Sequence, residues 1–300
     1  MGSKTVKEEV ASMDEWDKQA LPSFPIQKVG NTYNQCAETD YLIDGLLEAD
    51  SLAQAFGDSE SYKTFFAIGL GCSIATGTAF LGREVKKGGV LFVVGEGLRG
   101  LNKRFKAWSA YNKVSLDEAP LYLSGRSADF MTATSAHEVV DSIRYATAGD
   151  SISLIVIDTL ARNMSGNESS PEDMAVFIGI IDRVVRQELN CTVLVIHHPG
   201  IHDKTRGRGT NALHSAIDTD IRINHPDREI YPNTVRVECC KQKNEERFDA
   251  FMLDFHIVDW GRIDSSGQRV KSGVLIPSDQ SPDLFSARSE QPRLGKRSRL

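Results

Sequence analysis

The chain has 300 residues, 40% of them hydrophobic and 25% charged, with 35 basic and 41 acidic side chains giving a net charge of −6. These values exclude wholesale disorder, a collagen-like repeat and a coiled-coil rod. The acidic balance excludes a protein that coats nucleic acid by bulk charge, although it leaves room for a local basic channel.

The first 40 residues are polar and mixed in charge, and they read as an N-terminal arm. The opening MGSKTVKEEV has no apolar stretch, so no secretory leader is expected. Residues 51–56 (SLAQAF) form a short strand, followed by a loop and then a helix from about Ser61. Residues 65–82 run 18 positions without a charge, which borders on membrane-helix length. The run is rich in Gly, Ser and Thr and follows Lys63 directly. A buried helix behind a phosphate loop explains it better than a membrane span.

Residues 90–94 (VLFVV), 152–157 (ISLIVI) and 193–196 (VLVI) are continuous apolar runs, the mark of strands buried on both faces. A basic amphipathic helix is predicted over 98–112, a short strand over 121–124, and helices over 137–148 and 173–189. Strands alternating with helices predict an α/β fold with a parallel sheet covered on both faces. Past Ala216 the segments 220–224, 234–241 and 247–256 read as strands joined by turns, an antiparallel extension of that sheet. The expected boundaries are an arm at 1–40, one α/β domain at 41–276, and a basic, disordered tail at 277–300.

Gly57-Asp58-Ser59-Glu60-Ser61-Tyr62-Lys63-Thr64 lies between a predicted strand and helix. It fits the phosphate-loop pattern G-x-x-x-x-G-K-[ST], except that Tyr62 replaces the second glycine. In such a loop, backbone N–H groups cradle a polyphosphate, the lysine supplies a point charge and the threonine hydroxyl ligands Mg²⁺. Tyr62 is compatible with that work if its backbone is helical and its ring points away. Asp58 and Glu60 must face solvent to avoid repelling the phosphates.

Glu96 follows the strand 90–94, where a carboxylate can activate the water that attacks a γ-phosphate. Gly95-x-Gly97-x-x-Gly100 also matches a dinucleotide fingerprint, but the acid expected at the end of the next strand is missing. Asp158 follows four or more apolar residues, the pattern of a carboxylate that holds Mg²⁺ in line with Thr64. His197 and His198 end the next strand; one of them can sense a γ-phosphate or simply cap the strand. A zinc site built from His197, His198 and His202 fits no standard ligand spacing.

Two basic clusters follow. Lys204, Arg206 and Arg208 sit in a glycine-containing loop and suit a nucleic-acid backbone or a phosphate. Lys241 and Lys243 end a strand and suit the nucleotide of a neighbouring subunit. Five cysteines, an odd number without a CxxC pair, suit a reducing, cytoplasmic compartment.

Taken in order, GDSESYKTF, VLFVVGEGLRGLNKR, LIVIDTLARN, VLVIHHPG, DKTRGRGTNAL and CCKQKNEE resemble the RecA-like P-loop ATPases over about residues 41–255. They are most similar to the RepA-like hexameric helicase branch of mobile elements and phages. The resemblance implies a RecA-like core that binds ATP and Mg²⁺ between the subunits of a ring, usually a hexamer. It implies Glu96 as catalytic base, Asp158 as the metal-holding acid and His197 or His198 as the sensor. It further implies Arg208 as an arginine finger and Lys241 and Lys243 as fingers acting in trans. Loops at roughly 161–171 and 199–210 then face a central channel, and the second, with more cations, is the better contact for single-stranded DNA. The expected function is an ATP-driven, helicase-like motor in replication, with a primase or initiator as a further partner and no membrane association. A strand-pairing filament, or a nucleotide-gated scaffold with little turnover, shares the same core.

Overall fold

The computed structural model describes residues 26, 28–31, 38–95, 97–200 and 207–282. Most of the expected arm, Glu96, Lys204, Arg206 and the tail beyond 282 lie outside the described residues. Contacts divide the chain into two units, 1–38 and 39–300. In the first, Val29–Asn31 make a 3₁₀ turn. The rest of the description concerns the second.

A small antiparallel pair, β1 (Tyr41–Ile43) and β2 (Leu47–Glu48), opens the unit. The central sheet holds nine strands. In chain order these are β3 (Leu52–Phe56), β4 (Gly89–Val94), β5 (Leu121–Leu123), β6 (Ile152–Asp158), β7 (Thr192–His197), β8 (Thr219–Asn224), β9 (Thr234–Gln242), β10 (Phe251–Ile263) and β11 (Arg269–Pro277). Their spatial order is β11-β10-β9-β8-β3-β7-β6-β4-β5. Strands from β8 to β5 in that order are parallel, and β9, β10 and β11 extend them antiparallel.

Residue alternation explains the layering. On β4, Val90, Phe92 and Val94 enter one core, whereas Leu91 and Val93 enter the other. On β6, Leu154 and Val156 oppose Ile155 and Ile157 in the same way. Successive side chains of a strand point to opposite faces, so an unbroken apolar run demands cover on both. Helix α1 (Lys63–Thr76) contributes Phe66, Leu70 and Ile74 to the first core. Helix α2 (Leu98–Asn112) adds Leu101 and Trp108 there. Helices α3 (Ala133–Ala146) and α4 (Pro171–Ile180) cover the other face. The α4 segment continues through a π-helical turn at Ile181–Arg186 into α5 (Gln187–Leu189), and α6 (Asn211–Ala216) precedes β8.

The uncharged run read from the sequence ends as a helix at Thr76, with Gly77 in the left-handed conformation at φ 75°. No described helix is long and apolar enough to cross a membrane. The C-terminal part differs from expectation. β10 starts later and runs longer than predicted, and β11 falls in a segment that had no predicted strand. The two form a long hairpin that packs against α1 and α2. Its charged, exposed outer half hides the strand period: β11 reads RVKSGVLIP, with its buried residues confined to Gly273 and Val274.

Candidate functional site

The loop after β3 is shaped by one close approach. At Gly57 a Cβ would lie 1.8 Å from the carbonyl oxygen of Ile223 on the neighbouring β8, so no larger residue fits. Beyond it the backbone turns twice through left-handed angles, at Glu60 (φ 64°) and Tyr62 (φ 61°). Tyr62 N-caps α1 without a side-chain hydrogen bond, which leaves the first-turn N–H groups open to an anion. The condition of a helical backbone at Tyr62 is met only in mirror image: its backbone is left-handed, the conformation that the motif's usual glycine adopts without cost. The ring does point away, onto Phe255 of β10. Glu60 lines the cleft but is exposed and pairs with Arg228, which holds its carboxyl below the usual range.

The cleft above this loop has a volume of about 630 Å³, and its lining includes Tyr62, Lys63, Thr64, Arg104, Asp158 and His198. Thr64 Oγ1 donates to Asp158 Oδ2 at 2.7 Å. Lys63 Nζ donates to the carbonyls of Gly57 and Asp58, both at 2.7 Å. Burial brings the Lys63 pKa down to about 8, against the opposing pull of Asp158 and Asp58. A cation removed from water and left with carbonyl partners is set to gain from an anionic ligand.

A hydroxyl beside one carboxylate is a hard-oxygen pair of the kind Mg²⁺ accepts while keeping most of its waters. The donor set of Thr64 and Asp158 therefore fits that ion. Among the described residues no group of three or more His, Cys, Asp and Glu is arranged to hold a metal; His202 of the zinc set considered above lies outside them.

The two histidines separate by strand parity. His198 faces the cleft. His197 is buried, and its Nε2 lies 2.8 Å from the carbonyl of Arg208. A carbonyl can only accept, so Nε2 carries the proton there, and burial pulls the imidazole pKa down. Of the pair, His198 is the one that lines the cleft.

Glu96 lies outside the described residues. Gly95 N donates to the Asp158 carbonyl at 3.1 Å, and Gly97 lines the cavity. Arg208 Nε donates to Glu168 Oε2 at 2.8 Å, which ties the loop after β7 to the loop after β6. Lys241 Nζ donates to the carbonyls of His214 and Ser215, and Lys243 pairs with Asp218. Both lysines sit where β9 passes the start of β8, the sheet edge opposite the loop that follows β3.

Arg104 was not picked out by sequence reasoning, which saw only a basic helix. Its Cζ lies 4.6 Å from the centroid of the Phe65 ring, at the wall of the cleft. Burial lowers the guanidinium pKa and the Asp158 charge opposes that shift; both groups line the cavity. The available signal was spacing: Leu101 and Arg104 are three apart on α2 and share a face.

Among curated proteins, no sequence is significantly similar to this chain. A family model described as AAA domain, AAA_25, matches residues 20–203, more than half of the chain and all of the loop, Asp158 and His198. With that match and a mostly parallel sheet carrying a phosphate loop, the chain belongs to the AAA_25 family of P-loop ATPase domains.

Proposed function

We propose that this protein is an Mg²⁺-dependent ATPase that couples hydrolysis to movement along single-stranded DNA, acting as a ring of identical subunits in DNA replication. The observation that carries the ATPase reading is the 2.7 Å contact of Thr64 with Asp158 beside the buried Lys63. It joins the end of the phosphate loop to the tip of β6, as phosphoryl transfer needs.

In this reading the loop N–H groups and Lys63 bind the phosphates, and Thr64 and Asp158 hold the ion. Bound Mg²⁺ supplies charge neutralisation on the phosphate oxygens. Glu96, placed in the chain between Gly95 and Gly97, takes the proton of the attacking water. His198 contacts the outer phosphate, and Arg104 adds a cation from the same chain.

The DNA reading draws support from the loops after β6 and β7, which leave the same sheet edge as the nucleotide cleft and are tied by Glu168 and Arg208. Arg208 in turn sits beside Lys204 and Arg206 in sequence. The ring reading draws support from Lys241 and Lys243, which lie at the end of the sheet away from their own cleft, where a cation serving a neighbour's nucleotide would sit.

A second reading, a nucleotide-gated scaffold with little turnover, draws on Lys63, whose amine is already held by two loop carbonyls. One experiment separates the two: ATPase activity with and without single-stranded DNA at two salt concentrations. A motor responds to DNA, and the response weakens at high salt. A rate near zero that ignores DNA favours the scaffold.

A further inference from the structure

The left-handed backbone at Tyr62 poses a physical problem. A glycine would take φ 61° freely, whereas a side chain there must be held by its surroundings. The structure shows what holds it. The Tyr62 ring lies flat on Phe255, with centroids 4.4 Å apart and planes 2° apart. Phe255 also meets Phe65 edge-on at 4.9 Å. His225 approaches Tyr62 edge-on at 5.5 Å, and its Nε2 lies 3.2 Å from the Glu60 carbonyl. Phe255 is itself seated by Gly273 on β11, where a Cβ would come within 2.1 Å of the Phe255 ring.

We infer that Phe255 is a positioning residue for the nucleotide site, holding Tyr62 in its left-handed conformation so that Lys63 and Thr64 face the triphosphate. The β10–β11 hairpin thereby becomes part of the phosphate loop's support. This inference rests on the ATPase reading above. Tyr62 lines the cleft and Phe255 does not, so Phe255 acts through that residue and not on the ligand.

The argument predicts a rescue that plain loss of packing would not produce. Removing Phe255 frees Tyr62 to leave the left-handed region, and the loop then loses its shape for phosphate. If position 62 is glycine, the loop needs no ring to hold it, and the loss of Phe255 has little further effect.

The test measures binding of a fluorescent ATP analogue with Mg²⁺, and the kcat and KM of ATP hydrolysis, in wild type, K63A, F255A, F255L, Y62G and the Y62G/F255A double variant. F255L keeps apolar volume without a flat ring and serves if F255A does not fold. The expected result is at least a tenfold weaker affinity and higher KM in F255A or F255L, with Y62G/F255A within about twofold of Y62G. Wild-type affinity in both Phe255 variants overturns the inference, as does a double variant as weak as F255A. If wild type and K63A bind equally poorly, the ATPase reading itself fails and this inference falls with it. If wild type binds and K63A does not, the reading stands and the Phe255 variants decide.

Discussion

The ring of Tyr62 in the phosphate loop lies parallel to that of Phe255 on β10, at 4.4 Å between centroids. Two opposed energies meet there. A left-handed non-glycine residue costs about 1–2 kcal/mol, and an aromatic stack returns about 0.5–1.5 kcal/mol. Exchanging Tyr62 for glycine removes both, so Y62G should lie within about 1 kcal/mol of wild-type stability. Y62A keeps the backbone cost and loses the ring, and should be less stable than wild type by about 0.5–1.5 kcal/mol. Urea denaturation of the three proteins checks the order; a Y62A as stable as Y62G would contradict it.

Lys63 gives the site a pH dependence. Its pKa falls from 10.5 to about 8 in the folded protein. Below 8 the amine is charged and ready for phosphate, and above 8 the free protein progressively loses that charge. ATP affinity should therefore be flat from pH 6 to 7.5 and weaken about tenfold by pH 9. The same shift acts oppositely on folding. Between about 8 and 10.5 the unfolded chain holds more protons at this group than the folded one, so its contribution to stability rises with pH. Calorimetric titration with ATP across this range checks the binding limb. Affinity that grows from pH 7.5 to 9 would contradict it.

The Thr64–Asp158 pair predicts separable effects on metal and nucleotide. D158N should lose at least 10²-fold in Mg²⁺-dependent hydrolysis, yet keep metal-free ATP binding through Lys63 and the loop N–H groups. T64S should retain most activity because it keeps the hydroxyl, while T64V should resemble D158N. Rates measured across a Mg²⁺ titration check this. Wild-type Mg²⁺ dependence in D158N would contradict it.

The Glu168–Arg208 tie has a sign that distinguishes DNA contact from loop bracing. Arg208 is about two-fifths exposed while bonded to Glu168. If Arg208 contacts a DNA phosphate, R208A weakens single-stranded DNA binding and lowers the salt slope by about 0.7. E168A then leaves affinity unchanged or raises it by freeing the arginine. If the pair only braces the loops, both variants weaken binding alike. Fluorescence anisotropy at several salt concentrations separates the two outcomes.

The parallel sheet was legible because continuous apolar runs such as VLFVV and ISLIVI have few other places to go than a doubly covered strand. The phosphate loop was legible from Gly57, Lys63 and Thr64 despite the tyrosine. What the sequence withheld depended on distant partners. Nothing local announces that Phe255 will stack on Tyr62, or that Gly273 is there to seat it. β11 escaped because its charged half faces solvent and its buried half is short. His197 and His198 are equivalent in pattern, and only strand parity turns one inward and the other to the cleft. Arg104 was visible as a helical cation, but its place beside Phe65 requires the packing of α1 on α2.

The central claim is that loop 57–64 wraps a triphosphate whose outer end meets Thr64 and Asp158, with Glu96 as the base. Phosphate release and ATP binding, measured side by side in wild type, K63A and E96Q, test it most directly. The account predicts measurable turnover in wild type, little binding in K63A, and ATP bound but at least 10²-fold slower turnover in E96Q. Equal, near-zero rates in all three with ATP bound equally well would contradict it.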